Sequence, residues 1–199
     1  MPKVTLECLI VREPYASLIA YGPKRWEFRS YPCRKRTTIG IVASRRRPIP
    51  INSAVAKSRS FPRGALLALA NISDCRKVNS ADLAPFINGR YIKMKLHDVE
   101  LEVCESPLGE PVEDIVDAAN DDRWESYVWQ LTSVVPLKNP QPIRSKAYSP
   151  WKRLRLDLDS REFDSVQPFV GQSTLDLFAE QENYKSAQRH FHSRNLDAT

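Results

Sequence analysis

An ammonium, a carboxylate and a guanidinium stand close together in Gly22-Pro23-Lys24-Arg25-Trp26-Glu27-Phe28-Arg29. Lys24 can contact a phosphate or, as a neutral amine, act as a base or nucleophile. Arg29 can make paired hydrogen bonds to a phosphate or a base edge. Glu27 can accept from an exocyclic amine, or hold the two cations in register. The intervening aromatics anchor the backbone, so the charges are pre-organised for recognition. Read from residue types alone, the same trio is equally a structural ion pair on a strand.

The surroundings favour a polyanion. The chain carries 30 Lys plus Arg against 24 Asp plus Glu, a formal net charge of +6. Basic runs fall at Arg34, Lys35 and Arg36, at Arg45, Arg46 and Arg47 just after Ser44, and at Lys57, Arg59 and Arg63. Cations so clustered neutralise phosphates and release counterions, although a solvated basic face has the same composition. Tyr31 follows the charged segment among basic residues and is a candidate to stack on a base, whereas Trp124, Trp129 and Trp151 read first as core. The four cysteines, Cys8, Cys33, Cys75 and Cys104, are scattered without a metal-ligand spacing, and His97, His190 and His192 have no ligand neighbours, so no metal and no cofactor is expected.

Positioning these groups requires a sheet. Residues 4–11 form an apolar, β-branched run, and residues 12–22 read as a helix of about two turns, with Pro14 at its first position and Gly22 after its last. Residues 25–29 alternate with period two, which places Trp26 and Phe28 on a packed face and Arg25, Glu27 and Arg29 on a face toward solvent or ligand. Further strands are expected at 37–44, 64–72, 124–135 and 151–158, with one long strand or a hairpin at 91–104. Short helices are expected at 79–86, capped by Ser80, and at 112–119, with a proline-rich extended link at 136–150. Many short strands with few helices point to an α+β, mainly β barrel. No apolar stretch approaches the roughly 20 residues that cross a bilayer and no secretory signal is visible, so no membrane partner is expected and the chain is placed inside the cell, in the cytoplasm or with nuclear or nucleoid material.

GPKRWEFR resembles the GxKxxExR signature of ASCH domains, named for a homology region in a transcriptional coactivator. LIVREPYASLIAYG upstream is similar to the family's first strand and helix. IGIVAS, GALLALANISDCRKV, WESYVWQLTSVVPLKNPQPI and SPWKRL are similar to its later strands. The resemblance spans residues 4–158, with an insertion at 48–62. It implies a PUA-like β-barrel whose cleft beside the signature handles RNA, another nucleic acid or a modified nucleoside. The ligand-binding set would then be Lys24, Glu27, Arg29, Tyr31, Ser44, Arg45, Arg46 and Arg47. Some relatives resemble amidohydrolases acting on N4-acetylcytidine through a lysine and a threonine of the signature together with a later glutamate, for which Glu100, Glu102 and Glu105 are candidates here, and others ribonucleases. Lys24 matches that lysine, but Glu27 occupies the threonine position. A catalytic pair here would therefore use Glu27 as a general base for water and Lys24 to stabilise an oxyanion.

Residues 1–158 are thus expected as one domain and 159–199 as a polar, flexible tail. Within the tail, Gln172, Leu175, Leu177 and Phe178 resemble the short peptides with which replication and repair proteins bind a DNA sliding clamp, and a two-turn helix packed on the barrel is the alternative.

Overall fold

A computed structural model describes residues 3–86, 89–109, 127–143 and 151–157. Eight strands and three short helices follow in the order β1 (Lys3–Val11), α1 (Tyr15–Tyr21), β2 (Trp26–Arg29), β3 (Thr38–Ala43), α2 (Ser53–Lys57), β4 (Ala65–Lys77), α3 (Ser80–Leu83), β5 (Tyr91–Leu96), β6 (Val99–Cys104), β7 (Tyr127–Pro142) and β8 (Trp151–Asp157). Six strands form a mainly β, PUA-like sheet that curls into a half-barrel in the order β2-β7-β4-β3-β1-β8, and β5-β6 is a separate hairpin.

The centre of the sheet follows from composition. The first eight residues of β4, ALLALANI, are buried without alternation, as in a strand covered on both faces. One face packs with Leu9, Ile19, Ile41, Leu67, Ile72 and Trp129, and the other with Leu6, Val42, Leu66, Leu69 and Leu137.

Among the described residues, backbone hydrogen bonding leaves the sheet open between β2 and β8, and side chains span that gap. The Arg29 guanidinium, on β2, donates to Ile10 O on β1 at 3.2 Å and lies over the Trp129 ring at 6.0 Å. Trp129 in turn stacks on Trp151 of β8, with centroids 5.2 Å apart and planes 20° from parallel, and Lys35 covers Trp151 at 5.1 Å. This stack of two indoles between two cations joins the two edges of the half-barrel.

Several expectations need correction. Of the strand expected at 124–135, residues 124–126 lie outside the described residues and the rest belongs to a longer strand, Tyr127–Pro142, of which β2 covers only the first four residues. Beyond them one flank of β7 has no partner strand among the described residues, and prolines there forfeit no ladder hydrogen bond on that side. Residues 144–150, the rest of the expected proline-rich link, lie outside the described residues, as does the helix expected at 112–119. The strand expected at 64–72 continues to Lys77. The third helix is capped by Asn79 and not by Ser80: Asn79 Oδ1 accepts from Asp82 N, and Asp82 Oδ2 accepts from Asn79 N, both at 3.0 Å. Residues 91–104 form the hairpin, turned by His97 and Asp98 at φ of 49° and 68°. The expected insertion holds α2, whose cap is the Asn52 side chain accepting from Val55 N at 2.8 Å.

α1 begins at Tyr15, after Pro14. Its first turn is held by Glu13, which is wholly buried; the carboxylate accepts from Ser17 N at 3.1 Å and from Ser17 Oγ at 3.0 Å. Ser17 Oγ also meets His97 Nε2 at 2.9 Å, so this chain of three polar groups ties α1 to the hairpin turn.

Burial pushes the Glu13 carboxyl up to about 7 from its ordinary 4.5, against the lowering effect of both Ser17 hydrogen bonds. A raised folded value means that the stability it contributes is whole below the unfolded value and is lost as pH rises through the folded one. His97 acts with the opposite sign: burial lowers it, with Asp98 opposing, so its contribution is lost on acidification below the ordinary 6.5. Glu13→Gln keeps the hydrogen bonds and removes the titration. Its stability relative to the parent, measured by urea denaturation, is expected to rise by on the order of 3 kcal/mol between pH 4.5 and 7 and to stay level above that; a constant difference across that window would contradict the assignment.

Candidate functional site

Lys24, Glu27 and Arg29 are carried into the protein by the passage from α1 to β2. Gly22 ends the helix, its N–H returning to Leu18 O at 3.1 Å. The Arg25 guanidinium then donates to Ile19 O at 3.2 Å, Gly22 O at 2.9 Å and Lys24 O at 2.8 Å, satisfying carbonyls that the end of the helix leaves over. On the far side, Arg25 N and Trp26 N both donate to Pro107 O, at 2.7 and 2.9 Å. The signature is thus clamped between its own helix and the segment after β6.

Lys24 is 2% exposed. Its ammonium donates to Leu108 O at 3.0 Å and lies 5.3 Å from the Tyr15 ring centroid and 5.4 Å from that of Phe28. Glu27 is 6% exposed, and its Oε1 pairs with Arg29 Nη2 at 2.7 Å. The Arg29 side chain, one-fifth exposed, also reaches Ile10 O and Trp129, while its Nε is buried without a hydrogen-bond partner among the described residues. Such an orphaned donor costs about 1–3 kcal/mol.

The two faces expected of β2 are present, but the polar one does not simply meet solvent. Glu27 is more buried than Trp26 or Phe28, because the polar face turns toward the interior. Trp26 and Phe28 pack on a satellite cluster of Val78, Leu83, Leu108 and Val128, with Phe86 edge-on to Trp26 and Arg76 over its ring at 5.4 Å.

The other expected binding residues fall in two groups. Tyr31 meets Trp129 edge-to-face at 5.4 Å, and its carbonyl accepts from Trp129 Nε1 at 3.2 Å. Ser44 follows β3: its N–H donates to Val11 O at 2.7 Å, and its hydroxyl accepts from Arg46 N at 3.2 Å. Ile10 O and Val11 O are consecutive carbonyls of β1, so one strand end holds both Arg29 and the start of the arginine run. Arg45 lies across Gly64, and its guanidinium donates to Ile143 O, a structural tie between β3 and the end of β7. Arg46 and Arg47 are exposed, and Arg47 O accepts from Arg12 at 2.9 Å. Gln172, Leu175, Leu177 and Phe178 lie outside the described residues.

Sequence reasoning missed Gly109, the residue that seats Lys24. It stands at φ 65°, and a Cβ there would come within 2.6 Å of Lys24 Cβ and 3.0 Å of its Cα. Only glycine tolerates both the conformation and the approach. Gly109→Ala is expected to displace Lys24 and destabilise the protein by about 1–3 kcal/mol in chemical denaturation; an unchanged midpoint would show that the segment does not hold the lysine.

The family model for the ASCH domain matches residues 9–131, well over half of the chain, with the signature inside the match. No curated protein matches the chain. With the curled sheet, the charged signature buried at its edge and this match in agreement, the chain belongs to the ASCH domain family.

Proposed function

We propose that the protein binds RNA, or a modified nucleotide, in the interior of the half-barrel, with Lys24, Glu27 and Arg29 contacting the base and the exposed arginines after β3 holding phosphates. The observation that carries this reading is the interleaving of charge with aromatic faces. Lys24 lies near the rings of Tyr15 and Phe28, Arg29 rests on Trp129, and Glu27 pairs with Arg29. Aromatic faces stack on any base, while a carboxylate and a guanidinium read its edge.

The surface supports the same partner. Between Glu27 and Asp74 the sequence has no acidic residue, while Arg46, Arg47, Lys57, Arg59 and Arg63 are exposed in the β3–β4 connection. Val55 and Phe61 bury beneath that connection, and Ile49 N donates to Glu13 O at 2.6 Å, so the cations are held on an ordered segment. Tyr91 is the exposed large hydrophobic residue among those described, which leaves the connection without apolar anchors for a bilayer or a protein core.

Hydrolysis of an N4-acylated cytidine is a second reading, favoured by the burial of both Lys24 and Glu27. Engagement of Glu27 Oε1 by Arg29 at 2.7 Å weighs toward binding, since a general base needs a free lone pair aimed at water.

Single-stranded RNA is expected to bind with affinity that falls steeply with salt. Lys24→Met, which keeps the volume of the buried stem, is expected to weaken binding at least tenfold at every salt concentration. Arg46→Ala with Arg47→Ala is expected to reduce the log–log salt slope by about 1.4, from about 0.7 for each single-strand phosphate contact. Fluorescence anisotropy at several salt concentrations measures both. Turnover of N4-acetylcytidine that Lys24→Met abolishes would assign hydrolysis instead, and the absence of both binding and turnover would sink the site.

A further inference from the structure

Cys33 and Cys75, 42 residues apart, are brought together by the fold. Cys33 lies in the connection from β2 to β3, and Cys75 lies on β4 in register with Trp129. The Cys33 backbone N–H donates to Cys75 Sγ at 3.0 Å. With ordinary bond lengths, that contact puts the two Cα atoms no more than about 7 Å apart, at the upper end of the span a disulfide bridges.

The two segments are also fastened beside the pair. Arg36 Nη1 donates to Cys33 O at 3.0 Å, while Arg36 Nη2 pairs with Asp74 Oδ1 at 3.3 Å. Ile72 N donates to Thr37 O at 3.0 Å and Thr38 Oγ1 to Asn71 Oδ1 at 2.7 Å, which extends the β3–β4 ladder up to the connection. Closing a bond between the thiols therefore asks for side-chain rotation and little movement of the backbone.

Access separates this pair from the other cysteines. Cys8 and Cys104 are wholly buried, Cys33 is 7% exposed and Cys75 is half-buried. Burial pushes the Cys33 thiol up to about 11, against the lowering effect of the Lys35 carbonyl toward which its Sγ leans at 3.9 Å, and Cys75, the more exposed of the two, is the one an oxidant reaches first.

We propose that Cys33 and Cys75 are a modification site, a thiol pair that a hydroperoxide converts to a reversible disulfide. Cys75 Sγ attacks one oxygen of the hydroperoxide, and the O–O bond breaks. The products are a sulfenic acid on Cys75 and an alcohol, or water when the oxidant is hydrogen peroxide. Cys33 Sγ then attacks the Cys75 sulfur. The S–O bond breaks, the hydroxide leaves with the Cys33 proton as water, and two thiols have been oxidised by one peroxide. Cys33 follows Tyr31 by two residues and Cys75 pairs with Trp129, so the bond would lock the wall behind Arg29.

The test treats the reduced full-length chain with hydrogen peroxide, alkylates the remaining thiols and reads masses of the intact protein and its peptides. Expected are a loss of two hydrogen masses, a Cys33 peptide joined to a Cys75 peptide, and reversal by dithiothreitol. Cys33→Ser should abolish the link and leave a sulfenic acid on Cys75 that dimedone traps, whereas Cys104→Ser should keep the link. Free Cys33 and Cys75 after treatment, a bridge to Cys8 or Cys104, or direct passage of Cys75 to sulfinic acid would overturn the proposal. The readout needs no ligand, so failure of the RNA-binding reading leaves it standing.

Discussion

Carrying ionised side chains into a small β-sheet protein costs several kcal/mol for each ion unless partners replace the lost water, and the fold is organised around meeting that demand at Lys24, Glu27 and Arg29. Glu27 is met by Arg29 at 2.7 Å, Arg29 by a carbonyl of β1 and the face of Trp129, and Lys24 by Leu108 O and two aromatic rings. Each partner comes from a different part of the chain, so the charges can be buried only when α1, β1, β7 and the segment after β6 are all in place. A group of this kind makes weak evidence for stability, because well-packed apolar residues would hold the same volume at lower cost.

The same demand explains how the half-barrel is joined. Between β2 and β8 the stack of Arg29, Trp129, Trp151 and Lys35 does what backbone hydrogen bonds do elsewhere in the sheet. Side-chain stacking is softer than a strand ladder, and it leaves Arg29 Nε buried without a hydrogen-bond partner among the described residues. Arg29 thus belongs both to the open edge and to the buried charged group.

Much of this was legible in the sequence because local chemistry and final structure agree. The signature spacing, the apolar helix before it and the unbroken hydrophobic run of β4 all point to the mainly β, ASCH-type fold that the family match confirms. The two faces of β2 were legible, but not how deep each lies. Period-two patterning gives two faces without saying which one is inside, and the rule that apolar residues face inward fails where the interior is a polar site and the outer face packs on a satellite cluster. Asn79 was passed over as a cap because Ser80 beside it is an equally good capping type. Gly109 carried no pattern of its own, since its meaning lies in an approach to Lys24 that only the folded chain creates. The meeting of Cys33 with Cys75 and the Glu13–Ser17–His97 chain were hidden for the same reason: both join residues far apart in sequence whose spacing follows no motif.

The claim beneath the rest is that the interior beside Lys24 is where a nucleobase sits. A crystal structure of the protein with a panel of nucleoside monophosphates tests it most directly. The account predicts density for a base packed on the aromatic faces around Lys24, with its edge within hydrogen-bond reach of the Arg29 guanidinium and the phosphate pointing toward Arg46 and Arg47. Nucleotide bound only on the outer surface, with Lys24, Glu27 and Arg29 left as they stand in the unliganded protein, would contradict it and reduce the trio to scaffolding.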